Sequence, residues 1–129
     1  MNILVTGCAG FIGFHFCKKL LDSNSYNIIG VDNLNDYYDI NLKKSRIKIL
    51  KKSKKFIFKK LDISNYIRLN KLYKESNLFY VINLAAQAGV RYSIINPKAY
   101  FKSNMQGFFN VISLSQKYIS DLINHYDEV

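Results

Sequence analysis

The sequence is poor in cysteine, proline and acidic residues, and it has no long hydrophobic run. Cys8 and Cys17 are the only cysteines in 129 residues, which is too few to staple a small secreted domain. No apolar stretch approaches the roughly 20 residues that span a bilayer, and the chain opens on Met1–Thr6 without a basic leader. We therefore expect a cytoplasmic protein with no membrane segment.

Acidic residues are outnumbered, since 19 lysines and arginines against 9 aspartates and glutamates give a net charge of +10. Only three of these cations are arginines, the residue best suited to bases and phosphates. Lysine, asparagine, isoleucine, tyrosine and phenylalanine are all abundant and have A/T-rich codons, so genome bias explains the charge. The run of cations from Lys43 to Lys60 is typical of a solvated surface. Its alternative is a basic module that binds nucleic acid or another polyanion.

Short apolar runs alternate with helical patterns along the chain. Four strands are predicted at Asn2–Thr6, Asn27–Asp32, Phe56–Phe58 and Leu78–Leu84. Buried helical stripes are predicted at Gly13, Phe16, Cys17 and Leu20, at Ile40, Ile47 and Leu50, and at Leu69, Leu72 and Tyr73. This alternation predicts an α/β fold of the Rossmann-like, doubly wound type with a mostly parallel sheet, truncated after about the fourth strand and its following helix.

Polar residues predict where the later elements begin. Ser64 is placed to cap the third helix, and Ala85–Ser93 is a small-residue loop. Asn96 and Pro97 occupy the N-cap and first-turn positions of a long fourth helix. The apolar face predicted for that amphipathic helix consists of Phe101, Met105, Phe108, Phe109 and Ile112.

The most informative motif is a glycine triplet between the first strand and the first helix. Gly7, Gly10 and Gly13 are spaced G-x-x-G-x-x-G in the strand–turn–helix context of a dinucleotide fingerprint. The first glycine permits a tight turn, the second lets a pyrophosphate approach the backbone, and the third allows helix and strand to pack closely. The N–H groups at the start of the helix favour phosphate binding.

A second feature supports this interpretation. Asp32 ends the second strand, where an acid accepts hydrogen bonds from both hydroxyls of the adenosine ribose. A 2′-phosphate would meet this carboxylate at contact distance, so the sequence predicts NAD in preference to NADP as the cofactor. An ordinary turn aspartate is the alternative.

Three stretches carry a resemblance to a known family: Val5–His15, Gly30–Asp39 and Asn83–Ser93. They resemble the N-terminal part of extended short-chain dehydrogenase/reductases of the NAD-dependent epimerase/dehydratase family. Within it the chain is most similar to UDP-glucuronate 4-epimerases, for which the second and third stretches are selective. The resemblance implies an incomplete NAD-binding Rossmann domain over residues 1–118 and a divergent tail over residues 119–129. In that tail, Asp121–Ile123 is either a remnant of a fifth strand or part of a longer helix.

The resemblance also implies a set of cofactor-binding residues at the ends of the strands. These are Gly7, Gly10, Phe11, Ile12 and Gly13 for the pyrophosphate, Asp32 and Asn33 for the adenosine ribose, Asp62 and Ile63 for adenine, Leu84, Ala85 and Ala86 under the nicotinamide half, and Asn104 near the cofactor. Gln87, Arg91 and Ser93 would face the nucleotide-sugar substrate. The alternatives are a surface cation for Arg91 and a polar residue at a helix mouth for Ser93.

The catalytic group expected of this family is missing from the sequence. The family uses a tyrosine in Y-x-x-x-K, whose lysine lowers the tyrosine pKa, and none of the ten tyrosines here has a lysine four residues on. His15 and His125 have no partners that would make them catalytic, and the spacing of histidine and cysteine predicts no metal site. Cys8 is interpreted as a small turn residue, with activation by the helix N-terminus as the alternative.

Three hypotheses follow. The first is the NAD-binding portion of a nucleotide-sugar epimerase, inactive alone. The second is one half of a split enzyme whose separate C-terminal chain supplies the dyad. The third is the basic polyanion-binding module. An unpaired edge at the fourth strand also predicts a chain that is marginally stable or forms a homo-oligomer, and that NAD stabilises.

Overall fold

The computed structural model describes residues 1–127, and it describes the side chains of residues 1–119. Its strands are β1 (Asn2–Thr6), β2 (Asn27–Asp32), β3 (Phe56–Lys60) and β4 (Leu78–Asn83). All pairings are parallel and the strand order is β3-β2-β1-β4, so β1 is paired on both sides. This arrangement confirms the predicted Rossmann-like sheet.

Helices connect the parallel strands, as such crossovers require. They are α1 (Phe11–Asp22), α2 (Ile40–Leu50), α3 (Tyr66–Ser76), α4 (Val90–Ile95), α5 (Pro97–Tyr100), a π-helical segment (Phe101–Gly107) and α6 (Phe108–Asp127). Because α6 continues through Asp127, residues 121–123 belong to a helix and not to a strand remnant. No helix in the described part of the chain is long and apolar enough to cross a membrane.

The sheet has a hydrophobic cluster on each face, because successive side chains of a strand point to opposite sides. Leu4 of β1 belongs to the cluster that includes residues of α3 and α6, among them Leu69 and Leu114. Ile3 and Val5 belong to the other cluster, which includes residues of α1 and α2. Both faces of the central strand are therefore covered, as buried parallel strands require.

Two local predictions are wrong. The cap of α3 is Asn65, whose side chain accepts from the Arg68 N–H at 3.1 Å, while Ser64 donates both its N–H and its hydroxyl to Asp62. Ser64 therefore belongs to a turn formed by the Asp62 side chain and does not cap α3, contrary to the prediction from the sequence. The predicted loop over residues 85–93 also ends early, because α4 begins at Val90. Asn96, by contrast, caps α5 as predicted, accepting from the Ala99 N–H at 3.2 Å.

The segment predicted as one long helix consists of α5, the π-helical segment and α6. It packs on the sheet through a face other than its most apolar one. Its buried residues near the sheet are Gly107, Asn110, Val111 and Leu114. Its predicted apolar residues, Phe101, Met105, Phe108, Phe109 and Ile112, are between 48% and 68% exposed. On this packed face the Asn110 amide donates to the Ile63 carbonyl at 3.0 Å.

Candidate nucleotide-binding site

A cleft lies where the carboxyl ends of the four parallel strands meet. Loops after β1, β2, β3 and β4 contribute to it, and β1 lies between β2 and β4, where the chain direction of the crossovers reverses. Ligands of open α/β sheets bind at such switch points. The cleft is lined by Gly7, Gly10, Val31–Asn33, Asn35, Tyr37, Tyr38, Lys43, Leu61–Ile63, Leu84–Ala88 and Ser103.

The glycine turn is shaped by close backbone approaches. Gly7 has φ +69°, and a Cβ there would lie 2.7 Å from the Leu84 carbonyl carbon. A Cβ on Gly13 would overlap the Gly7 carbonyl oxygen, so only glycine lets α1 start this close to the turn. Gly10 is the N-cap of α1 and has no side chain to cap it. The first N–H groups of the helix thus lack a side-chain acceptor at the cap and suit an anion.

Thr6 fastens the turn to β4, a role that sequence reasoning did not assign. Its hydroxyl donates to the Asn83 side-chain oxygen and accepts from the N–H groups of Leu84 and Ala85, both at 3.1 Å. The loop predicted to run under the nicotinamide half of the cofactor is therefore held beside the glycine turn. A threonine ending the first strand before a glycine turn was the available signal.

Asp32 lies at the end of β2 and is 8% exposed. One carboxylate oxygen accepts from the Ala9 N–H at 3.2 Å, and the other accepts from the Leu34 N–H at 2.8 Å. These bonds fix the carboxylate between the glycine turn and the loop that follows β2. Asn33, the other residue predicted at the ribose, also lines the cleft.

Asp62, after β3, lines the cleft together with Ile63. Burial raises the pKa of Asp62, but two hydrogen bonds from Ser64 and the charge of Lys102 outweigh it, so the pKa lies below its usual value. The Lys102 ammonium is 3.4 Å from the carboxylate, which links the π-helical segment to the loop after β3. The carboxylate is consequently held in its charged form at the place predicted for adenine.

Asn104 and Gln87 form a reciprocal pair. The Gln87 N–H donates to the Asn104 side chain at 2.8 Å, and the Asn104 amide donates back to the Gln87 carbonyl at 3.1 Å. Asn104 thus positions the loop after β4, and its neighbour Ser103 is the residue that lines the cleft. Asn104 and Ser103 belong to the π-helical segment, and π-helical turns often occur at functional sites.

Four predicted residues, Phe11, Ile12, Arg91 and Ser93, are not among those that line the cleft. Phe11 and Ile12 begin α1, and their side chains are 68% and 67% exposed. Arg91 is exposed on α4, and the Ser93 hydroxyl donates to the Val90 carbonyl at 2.6 Å. Gln87 is the predicted substrate residue that lines the cleft, and it is 6% exposed.

Lys43 is a site residue that sequence reasoning missed. It was grouped with the solvated cations, yet it is 6% exposed and lines the cleft. Its ammonium donates to the Asn35 backbone carbonyl at 3.0 Å and to the Asn35 side-chain oxygen at 2.9 Å. The signal was present, since Lys43 stands four and seven residues before Ile47 and Leu50, the buried side of α2.

The alternative of an activated Cys8 thiol is wrong. Cys8 is fully buried, and burial together with the nearby Asp32 charge raises its pKa well above the ordinary value. Burial likewise raises the pKa of Cys17 to about 12. Within residues 1–119, whose side chains are described, no group of three or more histidine, cysteine or acidic side chains is placed to hold a metal ion.

These features fit a dinucleotide. The turn leaves room for a diphosphate at Gly7 and Gly10, the start of α1 presents N–H groups to it, and Asp32 presents a fixed acceptor at the end of β2. The fold and the turn together define a Rossmann-like domain of the dinucleotide-binding type.

Comparison with known proteins narrows this class to a family. The family model described as GDP-mannose 4,6 dehydratase matches residues 4–126. The chain belongs to this family.

Its relatives are longer proteins. The chain is 48% identical over 124 residues to Protein CapI of Staphylococcus aureus, covering 95% of this chain and 36% of that protein. It is 44% identical over 115 residues to a UDP-glucuronate 4-epimerase of Thermodesulfobacterium geofontis, covering 89% of this chain and 35% of the relative. The chain thus spans about a third of the length of these relatives.

A solved structure shows the same fold. The UDP-glucuronic acid 4-epimerase of Bacillus cereus, in complex with UDP-glucuronic acid and NAD, superimposes with a TM-score of 0.82 at 34% identity. The match covers 90% of this chain and 36% of that one.

Proposed function

We propose that this chain binds NAD and forms the cofactor-binding part of a nucleotide-sugar 4-epimerase acting on a UDP-glucuronate-like substrate. The observation that carries the proposal is the glycine turn, fixed by hydrogen bonds against Asp32 at the switch point of the sheet. The similarity to two UDP-glucuronate 4-epimerases, at 44% and 34% identity, supports both the cofactor and the substrate class.

Each part of the cleft then has a role in holding the cofactor. The N–H groups at the start of α1 bind the diphosphate, and Asp32 with Asn33 binds the adenosine ribose. Asp62 and Ile63 contact adenine, while Leu84, Ala85 and Ala86 support the nicotinamide half. Bound NAD supplies hydride transfer in this family, accepting a hydride and returning it. Gln87, Arg91 and Ser93 face the sugar nucleotide in this proposal.

Catalysis by this chain alone is not part of the proposal. No tyrosine in the 129 residues precedes a lysine by four positions, so the chain offers no dyad to remove a proton from a sugar hydroxyl. We propose that it is inactive by itself. A separately encoded C-terminal half carrying Y-x-x-x-K is the alternative, and inspection of the neighbouring coding sequence for that motif distinguishes the two.

Association of the chain is a further part of the proposal. Among the described strands, β4 pairs with β1 alone, which leaves one edge of β4 open. Open edges favour pairing with another chain, so a homo-oligomer or a complex with a C-terminal half is expected. We also place the protein in the cytoplasm, because both cysteines are free thiols.

A basic groove beside β3 favours a second candidate function, the binding of polyanions. Lys59, Lys60, Arg68 and Lys71 line it, with Glu75 as its one acid among the described residues. Lys71 is 3.8 Å from Glu75, and Arg68 donates to the Lys60 carbonyl. If this groove binds nucleic acid, affinity for random DNA will collapse as salt rises.

The test is calorimetric titration of the 129-residue chain with NAD⁺ and with UDP-glucuronate separately, accompanied by thermal melts. We expect NAD⁺ to bind and to raise the melting temperature, because it binds the folded state alone. UDP-glucuronate should not bind by itself. Equal affinity for NADPH and NADH would contradict the role of Asp32, and a sharp monomeric melt unaffected by NAD⁺ would contradict the proposal.

A further inference from the structure

Arg46 lies close to the carboxylate that selects the cofactor. Its guanidinium donates to the Ala9 carbonyl at 3.1 Å, and the N–H of the same alanine donates to Asp32 at 3.2 Å. Both contacts are made to Ala9, one at its carbonyl and one at its N–H, which places the guanidinium within about 10 Å of the carboxylate.

The charge of Arg46 is not neutralised by an acid. Among the side chains that the structure describes, the ion pairs are Lys71 with Glu75 and Lys102 with Asp62, and neither includes Arg46. Its guanidinium carbon lies 6.0 Å from the ring centroids of both Phe11 and Phe14, which hold it over the start of α1. A guanidinium carries five N–H donors, and the contact with Ala9 uses only one side of this fork.

Lys43, the other cation of α2 near the cleft, faces a different partner. Its ammonium is committed to two oxygens of Asn35, in the loop after β2. Arg46 does not line the cleft, but it and Asp32 contact the same residue, Ala9, through its carbonyl and its N–H respectively, so it is the α2 cation bound to the glycine turn beside the carboxylate.

We propose that Arg46 is a latent 2′-phosphate anchor, so that the preference for NAD over NADP rests on the carboxylate of Asp32 alone. This inference rests on the proposed NAD binding and adds the basis of its specificity. A phosphate ester on the 2′-oxygen is repelled by Asp32 and attracted by Arg46. Removing the carboxylate charge leaves the planar cation of Arg46, which suits phosphate, within about 10 Å of the substituted side chain.

The experiment titrates four full-length proteins with NAD⁺, NADP⁺, ADP and 2′-AMP: the parent chain, Asp32→Asn, Asp32→Asn/Arg46→Met and Asp32→Asn/Lys48→Met. Asparagine keeps the shape of Asp32 without its charge, and Asp32→Ser is the second background if asparagine disturbs folding. Lys48 is an exposed cation on the same helix and serves as the matched control. Thermal melts of each protein verify folding.

We expect Asp32→Asn to bind NADP⁺ about tenfold more tightly than the parent chain does, since a like charge is removed. The Arg46→Met change should abolish most of that gain and weaken 2′-AMP binding, while Lys48→Met should preserve both. ADP affinity should move little.

Equal NADP⁺ affinity with and without Arg46 in the Asp32→Asn background would overturn the inference. An equal loss of ADP and NADP⁺ affinity would also overturn it, because Arg46 would then serve the 5′-diphosphate. Failure of all four proteins to bind NAD⁺ would refute the proposed function and this inference together, whereas NAD⁺ binding with no Arg46 effect on NADP⁺ would refute the inference alone.

Discussion

The β1–α1–β2 unit (residues 2–32) and the β4–α6 unit (residues 78–127) make contrasting contributions to the molecule. Every residue of β1 except Asn2 is buried, and so is every residue of β2 except Asn27. In β4 only Leu78 is buried, and Tyr80 is 50% exposed. Both strands of the first unit are paired on two edges, whereas β4 is paired on one edge among the described strands and the apolar surface of the second unit is largely uncovered by described residues.

The difference shows which unit contains most of the residues predicted to bind the pyrophosphate and the adenosine ribose. The glycine turn and Asp32 both belong to the first unit, where close packing leaves little freedom to the backbone. The second unit is joined to the first by the parallel pairing of β4 with β1, by a shared hydrophobic cluster and by the Thr6 hydroxyl. We therefore expect substitutions in the first unit to lower stability by disturbing its packing. We expect substitutions in the second unit to act mainly through its exposed surface.

The largest effect is expected from Gly13→Ala. The added Cβ would overlap the Gly7 carbonyl oxygen and lie 3.0 Å from the Cys8 Cα, and neither backbone atom can move without opening the turn. We expect a loss of about 3 kcal/mol or more in the free energy of unfolding, measured by urea denaturation. Gly107→Ala is the matched change in the second unit.

The Cβ of Gly107→Ala would lie 2.6 Å from Cγ1 of the Ile63 side chain, and a side chain can shift more easily than the backbone atoms that a Cβ on Gly13 would meet. Its cost should be about 1 kcal/mol, smaller than that of Gly13→Ala. Equal losses in the free energy of unfolding for the two substitutions would contradict the difference in packing between the units.

The next effect concerns association, tested with Phe109→Glu. Phe109 is 68% exposed on α6, so a charge there should leave the free energy of unfolding within about 0.5 kcal/mol while weakening self-association. Sedimentation velocity over a range of concentrations measures the change. Ile67→Glu, at an 80% exposed position on α3, is the control. If both substitutions alter association equally, the uncovered surface of the second unit is not where the chains meet.

Sequence predicted the fold well because the strands depend on local pattern. The four apolar runs, the glycine turn and the capping role of Asn96 all follow from residues close together in the chain. The face of α6 that packs on the sheet could not be predicted in this way, because its contacts are with residues remote in sequence, both in the hydrophobic cluster and in the hydrogen bond from Asn110 to Ile63. Hydrophobic spacing marks which face is apolar, and it does not show what covers that face.

The sequence predicts the site residues that follow the strands, but it does not predict those contributed by the helix between two strands. Asp32, Asp62 and Leu84 follow strands, where parallel sheets bind ligands, and all three line the cleft. Lys43 lines the cleft and Arg46 contacts Ala9 of the glycine turn, both from the middle of α2 and within a run of cations whose composition is typical of solvated surface. Only the packing of α2 separates these two cations from their exposed neighbours.

A third prediction concerns the loop after β2, which connects the two units. Lys43 donates to Asn35, and the Asn35 amide is 3.4 Å from the Gln87 side-chain oxygen of the second unit. Lys43→Met should lower NAD⁺ affinity about tenfold by removing a buried cation from the cleft. Without ligand, stability should hold or rise, because an apolar residue replaces a buried charge.

Calorimetry and thermal melts measure both effects of Lys43→Met. Lys44→Met, at an exposed position of α2, is the control. A parallel loss of affinity and of unliganded stability would show that Lys43 supports the fold and not the cofactor.

The smallest effect concerns the ionisation of Asp62, which lies between the two units. Ser64 hydrogen bonds and Lys102 hold its pKa below the usual value despite burial. A lowered native pKa contributes stability above the unfolded pKa, and that contribution disappears as pH falls through the native pKa. Ser64→Ala removes the hydroxyl donor, so the native pKa should rise toward the ordinary aspartate value. The stability that this carboxylate contributes at neutral pH should then be smaller, and less stability should be lost on acidification.

Carbon-13 NMR titration of the Asp62 carboxyl measures the first effect, and urea denaturation at several pH values measures the second. Lys102→Met, in the π-helical segment, measures how much of the lowering of the Asp62 pKa comes from the second unit. Because Ser64 causes a larger part of the lowering than Lys102 does, the serine substitution should move the pKa further. A larger shift with Lys102→Met would mean that contacts between the units, and not the local turn, hold this carboxylate in its charged form.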